Sequence, residues 1–284
     1  MTRLIAVDPE LEDNYNNMAR RSDAPELLQR WSELSADYRR RADAAIDCAY
    51  GNGARERMDI FRCGVSQAPL FVYLHGGYWQ RGDKSIYSFV AEAFNEAGVD
   101  VAIIGYPLCP QVSMTQLFDR IVKALAWLHG HAAKLGVSAD RINLSGHSAG
   151  GHLTAMCLTT RWQGLDPGLP ADLVKTAIPL SGLYRLEPLR HTTIADALNL
   201  GDAETGRLSP CNLAVAYPSP TLIAVGGAES GAFFSQADDL IESWSDAGLV
   251  MAKYIEPGAD HFDIVARLTD PESEMFQRAV AWLS

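Results

Sequence analysis

No stretch of this 284-residue chain approaches the roughly 18 consecutive apolar residues that a membrane-spanning helix needs. The opening "MTRLIAVDPELEDNYNN" carries acidic residues where a secretory leader needs a long apolar core. Both absences predict a cytoplasmic protein with no membrane partner. Cysteine is sparse: Cys48, Cys63, Cys109, Cys157 and Cys211 are odd in number, widely scattered and never paired as CxxC. That argues against a disulfide framework and a thiolate zinc site, and it predicts reduced thiols, mostly in the core. Positive charge is also short. Lysine and arginine number 24 against 35 aspartates and glutamates, a formal net charge of −11, and the largest basic cluster is "RRR" at Arg39 to Arg41. Such a chain repels phosphate backbones, so nucleic acid is not an expected partner. Internal repeats and low-complexity segments are missing too, which leaves a single fold rather than an array.

What is present fits a soluble globular enzyme: 48% hydrophobic residues and 21% charged. The length accommodates one α/β domain over 1–284. Residues 1–45 begin with a helical segment, from Leu11 to about Ala45 and broken near Pro25. Its stretch "PELLQRWSELSADYRR" sets apolar positions at Leu27, Leu28, Trp31, Leu34 and Tyr38, and the segment is expected to form an N-terminal flap. The strand-like runs "IDCAY" and "MDIFR" around the turn "GNGARE" predict an antiparallel hairpin. Apolar runs then alternate with helical stretches: "LFVYL", a helix around Ile86 to Ala97, "VDVAIIGY", a helix from Met114 to Leu135, "RINLSG" and a helix from Ala149. With "TAIPLSG", "PTLIAVGG" and "VMAKYI" this makes an eight-stranded, mostly parallel sheet flanked by helices, closed by a last helix in "ESEMFQRAVAWLS". The irregular stretch 182–218 is longer than a connection requires and is expected to roof a pocket as a lid-like insertion.

The strongest chemical signal is "NLSGHSAGGH", in which Ser148 occupies GxSxG between a strand-like and a helix-like run. This is the pattern of a nucleophile elbow, a sharp turn where Gly146 and Gly150 leave room that side chains would fill. The turn also sets Ser148 at a helix N-terminus, where free N–H groups stabilise negative charge. Acyl transfer at such a serine builds an oxyanion that preorganised donors must meet. In "HGGYW", Gly76 and Gly77 follow a strand and can turn their N–H groups inward, and Ala149 adds a third donor. His75 is read as structural. Tyr78 and Trp79 either stack on an aromatic substrate and wall a small acyl pocket or belong to the core.

The serine needs a base, and chain order chooses among seven histidines. In this arrangement the histidine follows the last strand, which selects His261 in "YIEPGADHFDIV". His147 and His152 flank the elbow, where packing and helix capping are their expected work. The acid should follow the penultimate strand, where Glu229 is the first carboxylate, whereas Asp260 is too near His261 in sequence for easy side-chain contact. Serine and backbone donors supply what a metal otherwise would, so no metal and no cofactor are expected.

These segments resemble a known family, the HGGxW arylformamidases or kynurenine formamidases, in the hormone-sensitive-lipase-like group of α/β hydrolases. The resemblance spans most of the chain and rests on "HGGYWQRGDKS", "GHSAGGHLTAM" followed by "RW", "SGLYRLEPL", "ES" followed by "FFSQ", and "DHFDIV". The family often carries aspartate as the acid, where this chain offers Glu229. The resemblance implies hydrolysis of N-formyl-L-kynurenine to kynurenine and formate, a step of tryptophan catabolism, through a formyl-enzyme on Ser148. The residues themselves reach only to acyl transfer, so a carboxylesterase or amidase acting on other small aryl esters or amides stays open. The expected partner is a small aryl amide or ester, and the chain is compatible with a homodimer.

Overall fold

The protein is described by a computed structural model covering residues 5–283. Three helices lead the chain: α1 (Pro9–Tyr15), α2 (Asn17–Arg20) and α3 (Ala24–Arg41). Pro25 sits in the first turn of α3, where its missing N–H costs nothing, so the predicted break falls just before it. Trp31 and Tyr38 are buried as the periodicity requires, but Leu34, assigned to the same stripe, is 47% exposed.

The hairpin forms as β1 (Ala44–Ala49) and β2 (Arg57–Phe61), antiparallel. After it come β3 (Leu70–Leu74), α4 (Val90–Glu96), β4 (Asp100–Ile104), α5 (Met114–Leu135), β5 (Ile142–His147), α6 (Ala149–Leu158), the short α7 (Trp162–Leu165) and β6 (Thr176–Leu180). The chain continues through α8 (Ala195–Leu198), α9 (Asp202–Arg207), β7 (Thr221–Gly226), α10 (Gly231–Ser243), β8 (Met251–Glu256), α11 (Asp263–Leu268) and α12 (Glu274–Trp282). Among the described residues one eight-stranded sheet runs β1-β2-β4-β3-β5-β6-β7-β8, parallel from β4 to β8 and antiparallel where β2 meets β1 and β4. Every residue of β3 to β7 is buried, which is why these segments read as unbroken apolar runs.

Side chains along each strand alternate between two layers. Leu70, Val72 and Leu74 of β3 face the layer of α5, α6 and α10, while Phe71 and Tyr73 face α3, α4, α11 and α12. Sequence order turns back at β3, whose neighbours are β4 and β5. The crevice beyond the carboxyl ends of strands at such a switch is where α/β sheets bind ligands. The loops that carry "HGGYW" and Ser148 leave β3 and β5 at that edge, and Glu229 and His261 follow β7 and β8 at the same edge.

Candidate active site

Ser148 stands between β5 and α6 with φ 56° and ψ −116°, a conformation L-residues rarely adopt. The surroundings impose it. Its N–H donates to the Leu180 carbonyl at 2.9 Å and its own carbonyl accepts from His152 N at 3.0 Å. The approach is so close that a Cβ on Gly150 would lie 2.0 Å from the Leu74 carbonyl oxygen, and one on Gly146 2.4 Å from that of Gly150.

Glu229 and His261 are joined directly, His261 Nδ1 to Glu229 Oε2 at 2.7 Å. The carboxylate is fully buried, and its other oxygen accepts from Gly226 N at 2.7 Å and from the Ser181 hydroxyl. Three donors therefore replace the water that burial removes. With Nδ1–H engaged, the ring nitrogen left over is Nε2, and His261 lines the same pocket as Ser148. Asp260 is engaged elsewhere: it accepts from Arg21 Nη1 at 2.8 and 2.9 Å and caps the following turn through Phe262 N and Asp263 N, both at 2.8 Å.

The "HGGYW" loop is a left-handed turn, with φ of 123° at Gly77, 55° at Tyr78 and 59° at Trp79, closed by Gln80 N and Arg81 N on the Gly77 carbonyl at 3.0 and 2.9 Å. A Cβ at Gly77 would meet the Arg81 carbonyl oxygen at 2.3 Å, so glycine is required there. The turn sends the two aromatic residues to different places. Tyr78 lines the pocket, its hydroxyl accepting from Met18 N at 3.2 Å. Trp79 does not line it, and its assignment to substrate contact is corrected: it is 1% exposed in the core, and its Nε1 donates to His152 Nδ1 at 3.2 Å. His152 Nε2 in turn donates to the Leu208 carbonyl at 2.7 Å, which fixes the neutral tautomer, and burial pushes its pKa down to about 4. Burial likewise lowers His75 to about 4; its Nδ1 donates to the Gly76 carbonyl at 2.7 Å, and its ring stacks on Tyr106 at 4.2 Å.

Gly76, Gly77, Ser148 and His261 share a cavity of about 200 Å³, and Ala149, fully buried, opens α6 directly after the serine. The cavity wall is apolar: Met18 from α2, Leu28 and Trp31 from α3, and Ile86, Tyr87 and Phe262. The roof therefore comes from the N-terminal helices. The stretch 182–218, expected to supply it, contributes none of the lining residues. It packs behind instead, where the Ile194 carbonyl accepts from Gln80 Nε2 at 2.6 Å and the Leu208 carbonyl holds His152. Arg21 fastens the flap, pairing with Asp260 and with Asp263 at 2.6 Å while its guanidinium lies 5.8 Å from the centre of the Phe262 ring. Met18, Arg81, His147 and Ser181 went unassigned to the site in the sequence. The His147 ring lies tilted at 49° to the His261 ring, centroids 4.5 Å apart, and is held neutral by burial, then by that neighbouring histidine. Among the described residues no group of three or more histidines, cysteines or carboxylates is arranged to hold a metal ion.

An elbow serine, a histidine–carboxylate pair and a glycine turn at one sheet edge define an α/β hydrolase. Comparison with known proteins agrees. A family model described as BD-FAE matches residues 58–173. The kynurenine formamidase of Salmo salar is 29% identical over 244 residues, 83% of this chain and 81% of that one. A crystal structure from Silicibacter sp. tm1040, provisionally described as a thioesterase, superimposes with a TM-score of 0.83 at 32% identity, covering 96% of this chain and 98% of that one. Esterase LipQ of Mycobacterium tuberculosis is 26% identical over 87% of this chain and 63% of its own length. The chain belongs to the serine hydrolases of the α/β-hydrolase fold, and among them it is similar to the kynurenine formamidases.

Proposed function

We propose that the protein hydrolyses a small aryl formamide of the N-formyl-L-kynurenine type through an acyl-enzyme. The observation that carries the reading is the 2.7 Å Glu229–His261 pair beside the elbow serine in an apolar pocket. In this mechanism His261 Nε2 takes the proton of the Ser148 hydroxyl as Oγ adds to the formyl carbon, and Glu229 holds the imidazole and stabilises its charge. The N–H groups of Gly76, Gly77 and Ala149 meet the oxyanion. The adduct collapses with proton return to the departing aryl amine, and water, activated by the same histidine, releases formate.

Two further features support this substrate class. The cavity is smaller than the roughly 300–1,000 Å³ typical of drug-sized ligands, and Trp31, Tyr78, Tyr87 and Phe262 give an aryl ring aromatic walls. The likeness to the kynurenine formamidases supports the formamide over other acyl groups. Ester or thioester hydrolysis is the second reading, favoured by the likeness to LipQ and to the Silicibacter protein. Measuring kcat/KM for N-formylkynurenine, p-nitrophenyl acetate and an acetyl thioester decides between them. The formamide should lead, with activity unchanged by EDTA, whereas a preference of several orders of magnitude for an ester or thioester would overturn the reading.

A further inference from the structure

Arg81 is the one lysine or arginine among the residues lining the cavity, and it is exposed at the rim. Its guanidinium carbon lies 5.4 Å from the centre of the Tyr78 ring, which itself faces the cavity. Many of the other arginines are neutralised, among them Arg21, Arg39, Arg55, Arg62, Arg185 and Arg190, each paired with a carboxylate. Arg81 has no such partner among the described residues. Its backbone is committed to the glycine turn through Arg81 N and the Gly77 carbonyl, so the side chain is tethered to the segment bearing Gly76 and Gly77. In a chain with a net charge of −11, a substrate carboxylate is held most readily beside a local cation.

We propose that Arg81 determines specificity by binding a carboxylate on the part of the substrate that stays at the pocket mouth. The inference rests on the formamide reading for the identity of that substrate. In N-formylkynurenine the carboxylate lies at the far end from the formamide, so it remains at the rim when the formyl group reaches Ser148.

The test uses Arg81→Met, which keeps the aliphatic stem against Gly77, and Arg81→Lys, which keeps the charge. KM for N-formylkynurenine should rise about tenfold in Arg81→Met with kcat within about twofold, and Arg81→Lys should recover part of the loss. N-formylaniline, which lacks the carboxylate, should show no change. Equal effects on both substrates, or on neither, would overturn the assignment. If the wild-type enzyme ignores formamides but cleaves esters, the formamide reading fails by itself. The comparison then runs on the three acetoxybenzoate isomers against phenyl acetate, and Arg81 is excluded if no isomer loses more than phenyl acetate does.

Discussion

At Ser148 the requirements of folding and of reactivity conflict. A side chain at φ 56°, ψ −116° costs about 1–3 kcal/mol, which glycine would relieve. Ser148→Gly should therefore be inactive yet melt on the order of 2 °C higher, and Ser148→Ala, which keeps the strain, should be inactive with an unchanged melting temperature. Calorimetry of the two beside the wild type checks this, and equal melting points would remove strain from the explanation. The acid can be tested with similar economy. Glu229→Gln keeps the shape but loses the charge holding His261, and kcat should drop by up to roughly 10⁴. Asp260→Asn, whose carboxylate serves Arg21 and two backbone amides, should stay within a few-fold of wild type on the same substrate. The reverse ranking would reassign the acid.

Elements are joined by contacts that depend on protonation. The link from the β3–α4 loop to α6 runs through Trp79 Nε1 to His152 Nδ1, so a second ring proton on His152 would turn that acceptor into a donor facing a donor. Its folded pKa of about 4 lies below the ordinary 6.5, and His75 behaves alike. The unfolded chain thus binds more protons between these values: stability is full above about 6.5, falls as pH drops towards about 4, and levels off below. Melting temperature measured across pH 4–7 should show this slope, and His152→Gln should flatten it; identical profiles would remove His152 as a source. The flap is a second coupling of elements. Arg21→Ala releases α1 and α2 from the His261 loop, so limited proteolysis should cut near residues 16–23 faster and KM should rise several-fold with kcat little changed. A fall in kcat with KM fixed would mean that Arg21 serves His261 itself.

Across the whole molecule, what the sequence revealed depended on whether the information was local. Ser148 and its glycines occupy a few consecutive positions whose sterics admit few residues, and Glu229 and His261 follow from strand order, because the loops after β7 and β8 open at the same carboxyl edge as those after β3 and β5. The sheet was legible because buried strands must be apolar throughout. The opposite fates of Tyr78 and Trp79 were not, since three successive positive φ angles decide which aromatic points inward and nothing in "HGGYW" announces them. Nor was the roof: the apolar face of α3 was visible, but its packing partner lies far away in sequence, and an irregular insertion at 182–218 looked the better candidate.

That roof has a consequence for the order of events during synthesis. Arg21 leaves the ribosome early, yet Asp260, its partner, lies 239 positions later. Until those residues emerge, Met18, Leu28 and Trp31 have no finished wall to close, and neither His261 nor the last strand exists to receive them. The pocket is therefore completed only when the segment carrying Asp260 and His261 emerges, although its roof is translated well before. A nascent chain that already carries Gly76, Gly77 and Ser148 would remain without His261 and open to water, so in the mechanism proposed above translation itself delays the chemistry until His261 emerges.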